Sequence, residues 1–164
     1  MSELTAGELR KILNYSSETG LFTWIKASGT RGAGSIAGSE NKKGYVQICI
    51  RKTPYRAHRL AWMYVNGAMP AFDIDHINGV RNDNKISNLR LATPSQNQHN
   101  TSKSKNNRSG YKGVYFNKRD KKFVAQIMVN RKRVAIGYYL SADEAHKAYQ
   151  KASLMLHGEF ARSI

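Results

Sequence analysis

Cysteine is all but missing from this chain: Cys49 is the only one in 164 residues. A lone cysteine excludes an internal disulfide framework and every zinc site built from a cysteine cluster. In the stretch VQICI (residues 46–50) it reads as a thiol buried in a strand, and its solitude fits a reducing cytosol. Long apolar runs are missing too. No stretch of 18 apolar residues exists, so no membrane-spanning helix is expected. The N-terminus MSELTAGELRKILNYSS lacks the basic start and apolar stretch of a secretory signal. Acids are scarce: 11 Asp and Glu face 27 Lys and Arg, a formal net charge of +16. A chain this basic meets a polyanion, whether DNA, RNA or an anionic membrane surface; the bland alternative is a basic surface that is merely solvated.

What is present falls into two halves. Leu4, Leu9, Ile12 and Leu13 share a face of a helix expected over residues 3–15, with Thr5 and Glu8 as its capping box. Residues 20–25 (GLFTWI) read as a strand, and the Gly- and Ser-rich residues 27–44 as a loop. Residues 45–51 alternate like a strand, with Thr53-Pro54 marking a turn. A helix is expected over residues 57–66, ending at Gly67 with Pro70 beyond. Trp24 and Trp62 read as core. Residues 73–93 (DIDHINGVRNDNKISNLRLAT) suggest two short strands around a turn-rich loop, and Thr93-Pro94 opens a further helix to Asn100.

Residues 101–109 carry no large apolar side chain and read as an exposed linker. Behind them, residues 111–116, 123–129 and 133–139 alternate as three strands, with hairpin turns at 117–122 and 130–132. Ser141 and Glu144 form a second capping box. The helix it launches runs to His157, places Ala145, Ala148, Tyr149, Ala152 and Leu156 inward, and ends at Gly158.

Two constellations carry chemistry. Hydrolysis of a phosphodiester needs a base for water, a cation for the phosphate charge and stabilisation of the leaving oxygen. Asp75 and His76 supply a metal ligand and a base from adjacent positions of an extended segment, and the Asn97 carbonyl oxygen, 22 residues on, would complete a strand-to-helix site. Oxygen donors of this kind suit one Mg²⁺ or Mn²⁺ rather than zinc. Taken alone an Asp-His pair in a loop is weak, since a hydrogen-bonded turn is the commoner role. The second constellation is charge: residues 101–140 hold eleven Lys and Arg against Asp120. A basic sheet fits the DNA major groove, although edge strands also use Lys to avoid aggregation.

The wider pattern, IDHINGVRNDNKISNLRLATPSQNQHN over residues 74–100, resembles the HNH endonucleases of phages and self-splicing introns, together with TGLFTW (19–24), KGY (43–45) and AHRLAW (57–62). The resemblance implies His76 as general base, Asp75 and Asn97 as ligands of one divalent cation, and Asn88 as the residue that ties the loop to itself. His99 is a phosphate contact or a bystander, and His58 a core or capping histidine. Arg59 contacts phosphate or braces the loop, and Arg81 is a further expected DNA contact. SGYKGVY (109–115), KFVAQI (122–127), RVAIGYY (133–139) and SADEAHKAY (141–149) resemble an AP2 domain, a fold that lays its sheet in the major groove. By position its groove-facing residues are Lys112, Tyr115, Asn117, Gln126, Met128 and Arg133, with Lys118, Arg119, Lys122, Arg131 and Lys132 adding charge.

The expected fold class is therefore α+β. Residues 1–100 form a ββα-metal (HNH) nuclease domain with an N-terminal strand and helix extension, residues 101–109 a linker, and residues 110–164 an AP2-like three-stranded antiparallel sheet on one helix. The resemblance implies a metal-dependent endonuclease, of free-standing phage homing type, that acts on double-stranded DNA in the bacterial host cytoplasm. No membrane role and no obligate protein partner are expected, and monomer and dimer both stay open. A non-catalytic DNA-binding protein with a vestigial nuclease domain is the alternative; RNA or ribosome binding accounts for the charge but not for Asp75 and His76.

Overall fold

The computed structural model describes residues 4–100, 107–129 and 132–161, without the side chains of residues 98 and 99. The chain divides into two compact units, Met1–Thr93 and Pro94–Ile164. Among the described residues the class is α+β, and no helix is long and apolar enough to cross a membrane.

The first unit starts with α1 (Ala6–Ile12), whose N-terminus carries the expected Thr5–Glu8 capping box. The helix is shorter than its pattern implied. Leu13 is already extended, and β1 (Leu13–Tyr15) pairs antiparallel with β2 (Phe22–Trp24). Cross-strand pairing overrides the helical spacing here, and Tyr15 packs against Phe22 and Tyr64 (ring centroids 4.8 and 5.7 Å). The Gly- and Ser-rich segment is a loop for most of its length but contributes β3 (Ser39–Glu40) to a sheet ordered β3, β4 (Val46–Ile50), β5 (Thr53–Arg56). The turn lies at Arg51 and Lys52, both at positive φ, and not at Thr53-Pro54. Pro54 instead sits in the edge strand β5, where a missing N–H costs least. Ile48 and Ile50 are buried on β4, so the period of two turns Cys49 outward; the thiol is exposed rather than buried.

Helix α2 (Ala57–Asn66) follows directly and ends at Gly67 in the left-handed region, as expected. It packs Leu60, Ala61 and Met63 into a core with Leu9, Leu13, Phe22, Ile48 and Ile50, and Trp24 and Trp62 join that core. The unit closes with a hairpin of β6 (Asp73–His76) and β7 (Leu89–Ala92), joined by a loop that includes a 3-10 turn at Ile86–Asn88. Ile74 and Leu89 tie the hairpin to the core.

The second unit begins with α3 (Pro94–His99). Its sheet is antiparallel in the order β10 (Lys132–Tyr139), β9 (Lys122–Val129), β8 (Val114–Asn117), backed by α4 (Ala142–His157). Val114, Ala125 and Ile127 pack on Ala145 and Tyr149. Gly113 meets the Tyr149 ring so closely that any Cβ there would overlap it. Leu156, expected inward, is exposed; the buried residue of that turn is Ser153, one helical step after Tyr149. Residues 101–106 of the expected linker (101–109) and residues 130–131 of the expected hairpin turn (130–132) lie outside the described residues.

Candidate active site and nucleic-acid interface

The hairpin register sets the first pair of functional side chains. Asp75 stands opposite Arg90 across β6 and β7, and His76 opposite Leu89. Directly opposed residues project to the same face of a sheet. Arg90 accordingly reaches Asp75 with Nη2 at 2.7 Å and Nε at 2.9 Å, both onto Oδ2. Asp75 and His76 are both buried. A charged fork of this kind fixes the carboxylate more tightly than a neutral bond would.

His76 is fixed by a second contact. Its Nε2 lies 3.3 Å from Asn84 Oδ1. Asn84 Nδ2 donates to the Asn82 carbonyl at 3.1 Å, which leaves the amide oxygen facing the imidazole. In the tautomer protonated at Nε2, that nitrogen donates to the amide oxygen and Nδ1 is the basic one. Burial is the main cause that lowers the His76 pKa, partly opposed by the Asn84 bond and the Asp75 charge. Burial thus favours the neutral ring.

Asn88 binds the loop to itself. Its Oδ1 accepts from the Asn78 amide N–H at 3.0 Å; its Nδ2 donates to Asn78 Oδ1 at 3.0 Å and to the Asp83 carbonyl at 2.8 Å. The Tyr15 hydroxyl donates to the Asn84 carbonyl at 2.7 Å from the β1 side. Gly20 lets the β1–β2 turn come this close: its φ is +74°, and a Cβ would stand 2.5 Å from Lys85 N and 2.6 Å from Asn84 C.

Behind His76 three rings meet. His58, at the start of α2, is edge-on to His76 (5.1 Å between centroids), and Tyr45 lies 5.4 Å from His58 and 6.1 Å from His76. His58 is buried, and among the described residues its Nδ1 has no hydrogen-bond partner. Burial, reinforced by the neighbouring His76, Arg56 and Arg59, pushes its pKa down to about 3. It is the core histidine its position implied. Arg59 donates to the Pro70 carbonyl at 3.1 Å, in the segment between α2 and β6. Arg81 donates to the Lys43 carbonyl at 2.9 Å and lies over the Tyr45 ring.

The hairpin thus brings together Asp75, His76 and Asn88, with Arg81 nearby. Asn97 is half-buried on α3, in the other unit. The side chain of His99, and Arg131, lie outside the described residues. Arg90 and Asn84 were not singled out from the sequence. Arg90 becomes visible only once the register is known, and Asn84 is one of several loop asparagines with nothing in the string to rank them.

On the second unit the register collects Tyr115, Asn117, Lys122, Gln126, Met128 and Arg133 on the sheet face away from α4. Tyr138 joins them: it opposes Val124, as Tyr115 does from the other side, so a buried valine is flanked by two exposed tyrosines. Asn117 also builds the β8–β9 turn, accepting from the Arg119 N–H at 3.0 Å and donating to Asp120 at 2.7 Å. Lys118 and Arg119 are exposed in that turn, and Lys112 is half-buried just before β8. Lys132 opposes Val129, on the register of the α4 side.

Comparison with known proteins matches two successive segments of the chain. Residues 55–99 match the family model of an HNH endonuclease, and residues 109–159 that of an AP2 domain. Protein 3.8 of Escherichia phage T7 is 33% identical over 124 residues, which span 74% of this chain and 98% of that protein. Among solved structures, one titled for DNA binding and cleavage by the HNH homing endonuclease I-HmuI aligns over 89% of this chain and 85% of its own, at 19% identity and a TM-score of 0.44. The segment matched first contains α2, the hairpin and its loop, with Asp75, His76 and Asn88 in place: the chain belongs to the HNH endonuclease family and carries an AP2 domain behind its HNH segment.

Proposed function

We propose that this protein is a metal-dependent endonuclease that hydrolyses phosphodiester bonds of double-stranded DNA, in the manner of a free-standing phage homing enzyme acting in the host cytoplasm. The observation that carries the reading is the hairpin on which Asn84 orients His76 and Arg90 orients Asp75. His76 accepts the proton of the attacking water through Nδ1, because Asn84 holds Nε2 as the donor. Asn88 keeps the loop that carries Asn84 in shape.

A divalent cation belongs to this chemistry, and the donor set suits one. Asp75 offers a carboxylate held in place by Arg90. A carboxylate donor points to a hard ion, Mg²⁺ or Mn²⁺. Such an ion would neutralise charge on the scissile phosphate and on the leaving oxygen. Asn97 is the second oxygen donor that the motif implies; it enters the reading through the motif.

The AP2 sheet is the grip: Tyr115, Gln126, Met128, Arg133 and Tyr138 would face the groove, and the cations around them the phosphates. We place the domain boundaries at 1–100 and 110–164, with a linker between.

Nicking of supercoiled plasmid with and without Mg²⁺ tests the reading. Cutting that needs Mg²⁺ and falls by about 10²–10⁴ in His76→Ala is expected. A chain that binds DNA but never cuts it would be a binding protein with a vestigial site.

A further inference from the structure

A feature of the first unit borders the catalytic hairpin and takes one residue from its loop. Two guanidinium groups sit over one ring: the Arg56 carbon is 4.9 Å from the Tyr45 centroid and that of Arg81 5.1 Å. The arginines come from distant parts of the chain, one from the last position of β5 and one from the loop of the hairpin. Both are exposed, and neither forms an ion pair with a described carboxylate. Glu40, on β3, accepts from Asn82 at 3.0 Å instead.

This arrangement has a physical cost that points to a ligand. Two like charges held against one ring repel each other, and the ring quadrupole offsets only part of that repulsion. An anion between or beside them removes it. A guanidinium group presents several N–H donors in a plane, a pattern suited to a tetrahedral oxyanion. Arg81 is further held by its bond to the Lys43 carbonyl, so one arm is already oriented. Arg56 stands at the N-cap of α2, a helix with no side-chain cap and no acid in its first turn, and this adds positive potential on the same side. The ring that carries both arginines touches His58 and His76, so the potential is centred beside the proposed base.

We propose that Arg56 and Arg81, carried on Tyr45, form a phosphate subsite that seats a DNA backbone phosphate next to His76. The nuclease reading supplies only the identity of the polyanion and the name of the neighbouring base. The subsite itself is a claim about binding. The competing role is structural, with the arginines merely covering Tyr45 and the histidines beneath it.

The two are separated by the salt dependence of DNA binding, measured by anisotropy on a labelled duplex with the full chain, without divalent ions and in a His76→Ala background. Each phosphate neutralised contributes about 0.9 to the slope of log K against log salt. Arg56→Gln/Arg81→Gln is expected to flatten that slope by about 0.9, the share of one phosphate. Lys11→Gln/Lys26→Gln removes the same charge from exposed positions elsewhere and is expected to change it far less. Arg56→Gln alone guards against misfolding, because Arg56 is exposed and makes no ion pair; it too should flatten the slope. Equal slopes for the arginine and lysine double variants, with Arg56→Gln like wild type, would overturn the proposal. The measurement involves no cutting, so a failure of the nuclease reading registers separately, as loss of Mg²⁺-dependent nicking with the slope effect intact.

Discussion

Asn88→Ala is the most informative perturbation of the loop. The side chain makes three hydrogen bonds, two of them to Asn78 and one to the Asp83 carbonyl, over distances of 2.8 to 3.0 Å. Each is worth about 1 kcal/mol net, and the Asn78 N–H is left without its acceptor, so a loss of roughly 3 kcal/mol is expected. For a unit of this size that lowers the melting temperature by roughly 10–20 °C. The assay is built into the sequence: both tryptophans, Trp24 and Trp62, lie in the first unit, so tryptophan fluorescence follows its melting without the AP2 domain. Nicking activity should fall with the loop, since Asn84 rides on it. Asn88→Asp keeps the acceptor for the Asn78 N–H but loses both donations, and should fall between alanine and wild type. An Asn88→Ala protein that melts like wild type and cuts at the wild-type rate would refute the reasoning, and would leave the loop shaped by its strand ends alone.

Three further outcomes follow from the first unit. His58 is held neutral in the fold, with a pKa near 3 against 6.5 when unfolded, so the unfolded chain takes up the proton first as pH falls. Stability is therefore flat above about pH 6.5 and lost below it at about 1.4 kcal/mol per pH unit; melting at pH 5 should show a loss of about 2 kcal/mol relative to pH 7, and a flat profile would refute the burial of that ring. Gly20→Ala drives a Cβ into the Asn84–Lys85 backbone at a positive φ, so it should destabilise the unit and slow nicking together, whereas a silent variant would show that this approach is not needed. Cys49, exposed on β4, should react with a thiol reagent in the native state; protection until unfolding would contradict the strand phase.

Legibility from sequence followed the range of the forces involved. Capping boxes at Thr5 and Ser141 were readable because they are local, and both helix starts formed there. That Asp75, His76 and Asn88 lie on one hairpin was readable because the motif fixes their spacing. Features that depend on register were not. Leu13–Tyr15 fits a helical face as well as a strand, and only its pairing with Phe22–Trp24 decides. Cys49 looked like core because its neighbours are apolar, but period two allows only Ile48 and Ile50 inside. Arg90 gained its role from standing opposite Asp75, and Tyr45 from a packing of loop, strand and helix that no single segment encodes.

The central claim is that His76 is the base of a metal-dependent DNA cut. Single-turnover nicking by wild type, His76→Ala and Asn84→Ala at saturating DNA and Mg²⁺ tests it most directly, alongside the tryptophan melts of each. The account predicts that His76→Ala loses about 10²–10⁴ in rate with DNA affinity kept, and that Asn84→Ala loses less, since the ring stays but its orientation is released. A His76→Ala protein that cuts at the wild-type rate would contradict it.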